Sequence, residues 1–190
     1  MYTVYTGERV KLRPFKDEKE YLDLEQKLSI EPNFFWGAWW KPLQNRKKDF
    51  KPGGMLDANG EYSTFAVESL ATGELVGYEE YGAPNPGCLY AWLGTFILPE
   101  HWHHGYGIEA KQLCLCFLYE NFPIVKVSAE TLDIHHRAAN GLARSGMTYI
   151  GKVNKFFVRA GVLHDLVCYV IFREEWEQQP FRQIVKRSTG

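Results

Sequence analysis

No apolar run in this 190-residue chain approaches the ~20 residues that a membrane-spanning helix needs. The first residues, Met1 to Tyr5, contain neither the basic segment nor the apolar stretch of a secretory signal. Charge of one sign is not in excess, because 22 basic and 23 acidic side chains give a net charge of −1. No overall positive field therefore favours nucleic acid or acidic lipid. We expect a cytoplasmic protein that has neither a membrane nor a nucleic acid as its partner.

Cysteine is scarce, and its four positions form no C-x-x-C pair: Cys88, Cys114, Cys116 and Cys168. Small core side chains in a reducing compartment are the simplest interpretation. Five of the six histidines lie in two short segments, 101–104 and 135–136. They lack the H-E-x-x-H and H-x-x-E-H spacings and have no cysteine beside them, so the sequence predicts no metal site.

Strand-like and helix-like segments alternate along the chain. Strands separated by short turns favour antiparallel neighbours, and the helices between them indicate the α+β class. We expect a mixed, mostly antiparallel sheet of about seven strands flanked by helices, in one domain at 1–178 with a polar tail at 179–190. The predicted strands are Val10–Pro14, Tyr62–Ser69, Leu75–Gly82, Leu89–Leu98, Val125–Leu132, Met147–Val158 and Leu163–Arg173. The predicted helices are Asp17–Leu28, Gly105–Asn121 and His136–Ser145.

The fourth predicted strand is followed by a short loop, Trp102–Gly107, and then by a helix. Glycine lets the main chain approach a phosphate, and the unpaired N–H groups of a helix's first turn point at it. The loop lacks the Lys-Ser/Thr of a P-loop. Its Gly105-x-Gly107 follows the fourth strand, whereas a dinucleotide fingerprint usually follows the first. The order of strand, loop and helix predicts a site for a phosphorylated cofactor.

This order resembles the GNAT superfamily of acyl-CoA-dependent N-acetyltransferases, whose cofactor loop reads R/Q-x-x-G-x-G/A. The resemblance is closer to the branch of the ribosomal-protein N-terminal acetyltransferases, in which the loop often begins with Trp and is followed by Glu-Ala. Here the loop reads WHHGYG and is followed by Ile108 and then Glu109-Ala110. The opening GERVKLRP at 7–14, Gly146-Met147, and the late Asp165, Tyr169 and Glu175-Trp176 also agree, so the resemblance spans residues 7–176.

The resemblance implies an N-acetyltransferase with acetyl-CoA as co-substrate and no metal. The fourth and fifth strands would splay apart to admit the pantetheine arm, and the loop would hold the diphosphate. A primary amine, of a small molecule or a protein N-terminus, would attack the thioester directly. A monomer and a homodimer are both compatible with the family. The implied cofactor-binding residues are Phe96, Ile97, Leu98, His103, His104, Gly105, Tyr106 and Gly107.

The catalytic positions depart from the family's pattern. The branch's Asn-x-x-Ser is replaced by His135 and Ala138, and the superfamily's tyrosine by Leu142. A glutamate that acts as base in some members is replaced by Ala91. The missing Ser and Tyr motivate an alternative, an acyl-CoA-binding module with little or no turnover. A regulator that binds ATP or NAD is a third hypothesis.

Three residues remain as candidate general bases. Glu79 and Glu80 are neighbours on a predicted strand, so at most one can point into the cleft. His135 carries an imidazole, which in its unperturbed state titrates near neutrality.

Five large rings occur within the seven residues from Phe34 to Trp40. The resemblance places this segment where family members form the acceptor pocket, and core packing is the alternative interpretation. Rings that line a pocket would favour an apolar or aromatic amine over a highly charged one. The predicted pocket residues are Phe35, Trp36, Trp39 and Trp40.

Overall fold

A ten-stranded mixed sheet runs through the computed structural model, which describes residues 3–29, 56–57, 62–82 and 89–189. The strands are β1 (Thr3–Thr6), β2 (Val10–Arg13), β3 (Leu56–Asp57), β4 (Tyr62–Ser69), β5 (Leu75–Gly82), β6 (Tyr90–Ile97), β7 (Lys126–Leu132), β8 (Thr148–Arg159), β9 (Val162–Phe172) and β10 (Lys186–Thr189). The helices of the described ranges are α1 (Glu18–Ser29), α2 (Tyr106–Asn121), α3 (His136–Arg144) and α4 (Arg173–Glu177), with 3-10 turns at Pro99–His101 and Pro180–Gln183.

The strands lie in the order β10-β1-β2-β4-β5-β6-β7-β9-β8, with β3 beside β4. Among the described strands only β6 and β7 pair in parallel, because α2 carries the chain back across the sheet. The predicted α+β class and mixed sheet are confirmed. The expected count of about seven strands is too low, since β1, β3 and β10 are short and, unlike β2, show no repeated alternation of apolar and polar residues. No helix in the described ranges is long and apolar enough to cross a membrane.

Residues 179–189, expected to form a polar tail, are structured. Phe181 and Val185 are buried in the same core cluster as α2. Strand β10 pairs with β1 in antiparallel register from Thr3↔Thr189 to Thr6↔Lys186. Because all four β10 residues are exposed, the two buried side chains anchor the segment, and main-chain pairing places the strand. The average polarity of the segment conceals these two anchors.

The two faces of the sheet carry separate apolar clusters. Helix α2 covers one face, where Leu113 and Leu118 pack with strand residues such as Leu93. Helix α1 covers the other face, where Tyr21 and Leu24 pack against β4, β5 and the end of β6. Side chains that alternate along β5 and β6 therefore point either toward α2 or toward the α1 face.

Helix α2 is fixed at both ends by hydrogen bonds to buried or half-buried charged groups. The carboxylate of Glu109 accepts the main-chain N–H groups of residues 8, 9 and 10 at 2.8, 2.7 and 2.8 Å. At the other end the guanidinium of Arg173 donates to the carbonyls of Tyr119, Phe122 and Ile124. Bonds to ionised groups are roughly twice as strong as neutral ones. They hold the N-terminus of α2 in a fixed place against the sheet.

Candidate functional site

Strands β6 and β7 separate after three residue pairs. The last of these pairs is Trp92↔Ser128, although β6 continues to Ile97 and β7 to Leu132. Over these remaining residues β6 stays paired with β5, and β7 with β9, on their outer sides. The inner edges of both strands therefore border a gap. The fourth and fifth predicted strands correspond to β6 and β7, so the predicted splay between them is confirmed.

The loop between β6 and α2 presents a row of main-chain N–H groups. The N–H of Trp102 donates to the carbonyl of Pro99 (3.1 Å), and the next such bond is from Ile108 to Gly105 (3.2 Å). Within the described ranges, the N–H groups of residues 103–107 meet no hydrogen-bond acceptor. Five consecutive amides at the start of a helix, where the helix dipole is positive, form a donor set for an anion. We call residues 103–107 the donor row.

Two glycines give the donor row its shape. Gly105 has φ 80°, in the left-handed region where a side chain is strained. Gly107 packs on β6, where a Cβ would lie 3.3 Å from Cγ1 of Ile97 and 3.7 Å from Cγ2 of Thr95. The first glycine therefore sets the turn, and the second lets the helix start approach the strand.

Two arginines that the sequence analysis missed flank the donor row. The side chain of Arg9 reaches Gly105, whose Cβ position lies 3.6 Å from the arginine Cδ. The guanidinium of Arg137 stacks on the ring of Trp102, 3.3 Å from its centroid. Both charges suit a site for a phosphorylated group. Their places follow from contacts between distant segments, which the spacing of residues in the sequence does not reveal.

The predicted pantetheine residues lie at the end of β6, but some of their main-chain groups are already engaged. The indole Nε1–H of Trp102 donates to the carbonyl of Ile97 at 2.7 Å. The N–H of Leu98 donates to the carbonyl of Val76 at 2.9 Å. The ring of Phe96 faces α1. An arm that hydrogen-bonds to Ile97 would have to share its carbonyl with the indole.

Glu79, one of the candidate bases, lies beneath α2. Its side chain is fully buried, and the side chain of Thr95 on β6 is its hydrogen-bonding neighbour, which favours the ionised form. Burial raises the pKa of Glu79 to about 8, and the ammonium of Lys111 acts in the opposite direction. Lys111 is itself buried on α2, which lowers its pKa, and its Nζ donates to the carbonyl of Gly107 (3.2 Å). Glu79 is therefore enclosed in the core behind the donor row.

Glu80 points to the opposite face of the sheet. It pairs with Gly94 on β6, and a Cβ at Gly94 would lie 3.0 Å from Oε1 of Glu80. The half-buried carboxylate therefore lies over the main chain of β6, two residues beyond the last β6–β7 pair at Trp92. Of the two neighbouring carboxylates, Glu80 is the one beside the gap.

His135 immediately precedes α3. Its Nδ1 lies 3.3 Å from Oγ1 of Thr131, and its Nε2 lies 3.3 Å from Nη2 of Arg137. A guanidinium can only donate, so we assign Nε2 as the acceptor and place the ring proton on Nδ1. Burial, together with the charges of Arg137 and Lys111, lowers the pKa of His135 to about 4. The imidazole is neutral at pH 7 and is a weak proton acceptor.

The four predicted pocket rings, Phe35, Trp36, Trp39 and Trp40, lie outside the described residues, as does Cys88. The other three cysteines are free thiols, and Cys114 and Cys116 are buried. Among the side chains that the structure does describe, no three or more of His, Cys, Asp and Glu are arranged to hold a metal ion.

Comparison with known proteins identifies the family. The model of the acetyltransferase (GNAT) domain matches residues 9–148. The chain belongs to this family of acyl-CoA-dependent N-acetyltransferases, which confirms the resemblance read from the loop. No curated protein sequence matches the chain.

Solved structures share the fold at low sequence identity. A GNAT-family acetyltransferase from Bacillus anthracis is 17% identical, with a TM-score of 0.73 over 90% of this chain and 99% of that one. Spermidine N-acetyltransferase from Vibrio cholerae, in complex with CoA and spermine, is 16% identical, with a TM-score of 0.73 over 89% and 98%. RimL, a ribosomal L7/L12 alpha-N-protein acetyltransferase in complex with coenzyme A, is 14% identical, with a TM-score of 0.73 over 89% and 97%.

Proposed function

We propose that this protein transfers an acetyl group from acetyl-CoA to a primary amine by direct attack, without a covalent enzyme intermediate. The observation that carries the proposal is the donor row beside the gap between β6 and β7, in a chain of the GNAT family. A small-molecule amine and a protein N-terminus both remain acceptors under this proposal. The structural neighbours include a spermidine N-acetyltransferase and a ribosomal-protein acetyltransferase.

The residues around the gap suit the parts of acetyl-CoA. The donor row would hold the diphosphate, with the positive charges of Arg9 and Arg137 close by. The inner edge of β6 beyond Trp92 is not paired with β7, so an extended arm would lie along it, sharing the carbonyl of Ile97 with the indole of Trp102. Acetyl-CoA supplies an activated thioester, and the protein supplies the position at which an amine meets it.

Glu80 is the proposed proton acceptor. As the C–N bond forms and the C–S bond breaks, the amine must lose a proton, and the leaving thiolate must gain one. Glu80 lies next to the gap, whereas Glu79 is enclosed and both ring nitrogens of His135 already lie against Thr131 and Arg137. Ala138 and the buried Leu142 offer no hydroxyl, so the thiolate takes its proton from water.

The absence of a hydroxyl group at Ala138 and Leu142 favours the second candidate, an acyl-CoA-binding module with little turnover. Calorimetric titration with acetyl-CoA, combined with an assay of thiol release over a panel of amines, separates the two. Binding together with thiol release supports the transferase, and binding without release from any amine supports the module. Failure of acetyl-CoA to bind contradicts both.

A matched pair of glycine variants tests the donor row. Gly105→Val places a side chain where the main chain must approach a phosphate, so we expect acetyl-CoA affinity to fall by at least about 100-fold, the loss of some 3 kcal/mol. Gly161→Val is the control, because its φ of 79° matches the 80° of Gly105 and the strain is similar, but it lies in the β8–β9 turn. Unchanged affinity in a folded Gly105→Val protein would contradict the assignment.

A further inference from the structure

The α1 face of β5 and β6 carries a carboxylate between two aromatic groups. Three successive cross-strand positions are involved, and each strand contributes alternate residues. At the first position two rings stack, with 4.5 Å between their centroids, and the middle position holds the carboxylate. At the third position an indole lies against a glycine. These positions are Tyr78–Phe96, Glu80–Gly94 and Gly82–Trp92.

The glycines determine where the polar and aromatic groups lie. A Cβ at Gly82 would come within 2.0 Å of Nε1 of Trp92, so the indole rests directly on the main chain of β5. Gly94 gives the carboxylate of Glu80 the same access to β6. Trp92 nevertheless remains 37% exposed, and it belongs to the last β6–β7 pair, where the gap begins.

A small molecule can contact both groups at once. Glu80 pairs with Gly94, which is two residues from Trp92 on β6. Alternate residues on a strand are about 7 Å apart, so Glu80 and Trp92 are within reach of one acceptor. A carboxylate binds an ammonium group, and an indole face binds a ring by stacking. A second positive charge is less suitable at the indole, because the ammonium of Lys126 already lies 5.8 Å from the ring of Tyr90, two residues before Trp92.

We infer that Trp92 determines acceptor specificity and that the preferred acceptor is a primary amine joined by a short linker to an aromatic ring. The amine would lie at Glu80 and the ring on the exposed indole. The inference rests on the proposed acetyl transfer and adds the substrate class. Trp92 is outside the segment that the sequence analysis assigned to the acceptor pocket.

The test compares 2-phenylethylamine, ethylamine and spermidine as acceptors, with thiol release from acetyl-CoA as the measurement. In the wild type we expect kcat/KM for 2-phenylethylamine to exceed that for ethylamine by at least about tenfold, the value of burying part of a ring. Trp92→Leu should reduce this ratio to about one, chiefly through KM, and Trp92→Phe should retain most of it. The affinity for acetyl-CoA, measured separately, shows that each variant is folded.

Each outcome has a definite consequence. A wild-type ratio near one, or a ratio that Trp92→Leu leaves intact, overturns the role of Trp92 while the acetyl transfer stands. A preference for spermidine over 2-phenylethylamine also overturns it, since a polycation would then be the better fit. Binding of acetyl-CoA without thiol release from any amine contradicts the proposed function itself, and the inference with it.

Discussion

Replacing Glu79 by glutamine should change how the stability of the protein depends on pH. The carboxyl is fully buried, and burial raises its pKa from 4.5 to about 8. Between these two values the folded state holds a proton that the unfolded state has released. The free energy of unfolding therefore falls as the pH rises through this window. Glutamine has no proton to exchange, so the variant should lose this dependence.

The magnitude follows from the shift in pKa. At 1.36 kcal/mol per unit, the change from 4.5 to about 8 amounts to roughly 5 kcal/mol across the window. Each kcal/mol moves the melting temperature of a domain of this size by roughly 2 to 4 °C. Roughly 3.5 kcal/mol of this change falls between pH 5 and pH 8, so the difference in melting temperature between wild type and Glu79→Gln should grow by about 7 to 14 °C over that range.

Urea unfolding and thermal melting over this pH range measure the effect. The wild type should lose stability relative to Glu79→Gln as the pH rises, and Glu79→Gln should become the more stable protein at the alkaline end. Glu74→Gln is the control, because it removes an exposed carboxylate from the β4–β5 turn and should follow the wild type. If Glu79→Gln keeps the wild-type slope, Glu79 is ionised in the folded state beside a charged Lys111, and the reasoning is refuted.

Two further predictions concern the anchoring of α2 and the proton acceptor. Glu109→Gln should lower the free energy of unfolding by about 2 to 4 kcal/mol, because one amide oxygen replaces a carboxylate that accepts three N–H groups. A loss below about 1 kcal/mol in urea unfolding would contradict this role. Glu80→Gln should reduce kcat by at least about 100-fold and remove the acid limb of the pH–rate profile. His135→Ala should leave the midpoint of that limb in place, since the histidine is already neutral; a limb that moves with His135→Ala would make the imidazole the base.

Elements long enough for a pattern to repeat could be predicted from the sequence. Strands β4 and β5 lie at the predicted Tyr62–Ser69 and Leu75–Gly82, and helix α2 begins one residue after the predicted start. Strand β10 could not be predicted, because its four residues are polar and exposed, and main-chain bonds to β1 at the other end of the sequence hold it. Its only sequence signal is the pair of apolar residues Phe181 and Val185.

In the candidate site too, features with a local sequence pattern could be predicted, and features that depend on long-range contacts could not. The donor row is contiguous in sequence, so glycine spacing and the preceding strand were enough to predict it. Alternation also predicted that Glu79 and Glu80 face opposite sides, but which side borders the gap depends on packing against α2 and on the register with β6. The weak basicity of His135 arises from burial and from charges on two helices, which no local pattern records.

The short contact between β6 and β7 affects the whole molecule. Only three residue pairs join the part of the sheet that ends at β6 to the part that begins at β7, and α2 connects the two parts along the chain. An elongated ligand bound in the gap would connect the edges of β6 and β7, which the protein's own hydrogen bonds leave unpaired there. By mass action the rigidity of the protein would then increase with the concentration of that ligand. Amide hydrogen exchange along Leu93–Ile97 would slow as the ligand concentration rises.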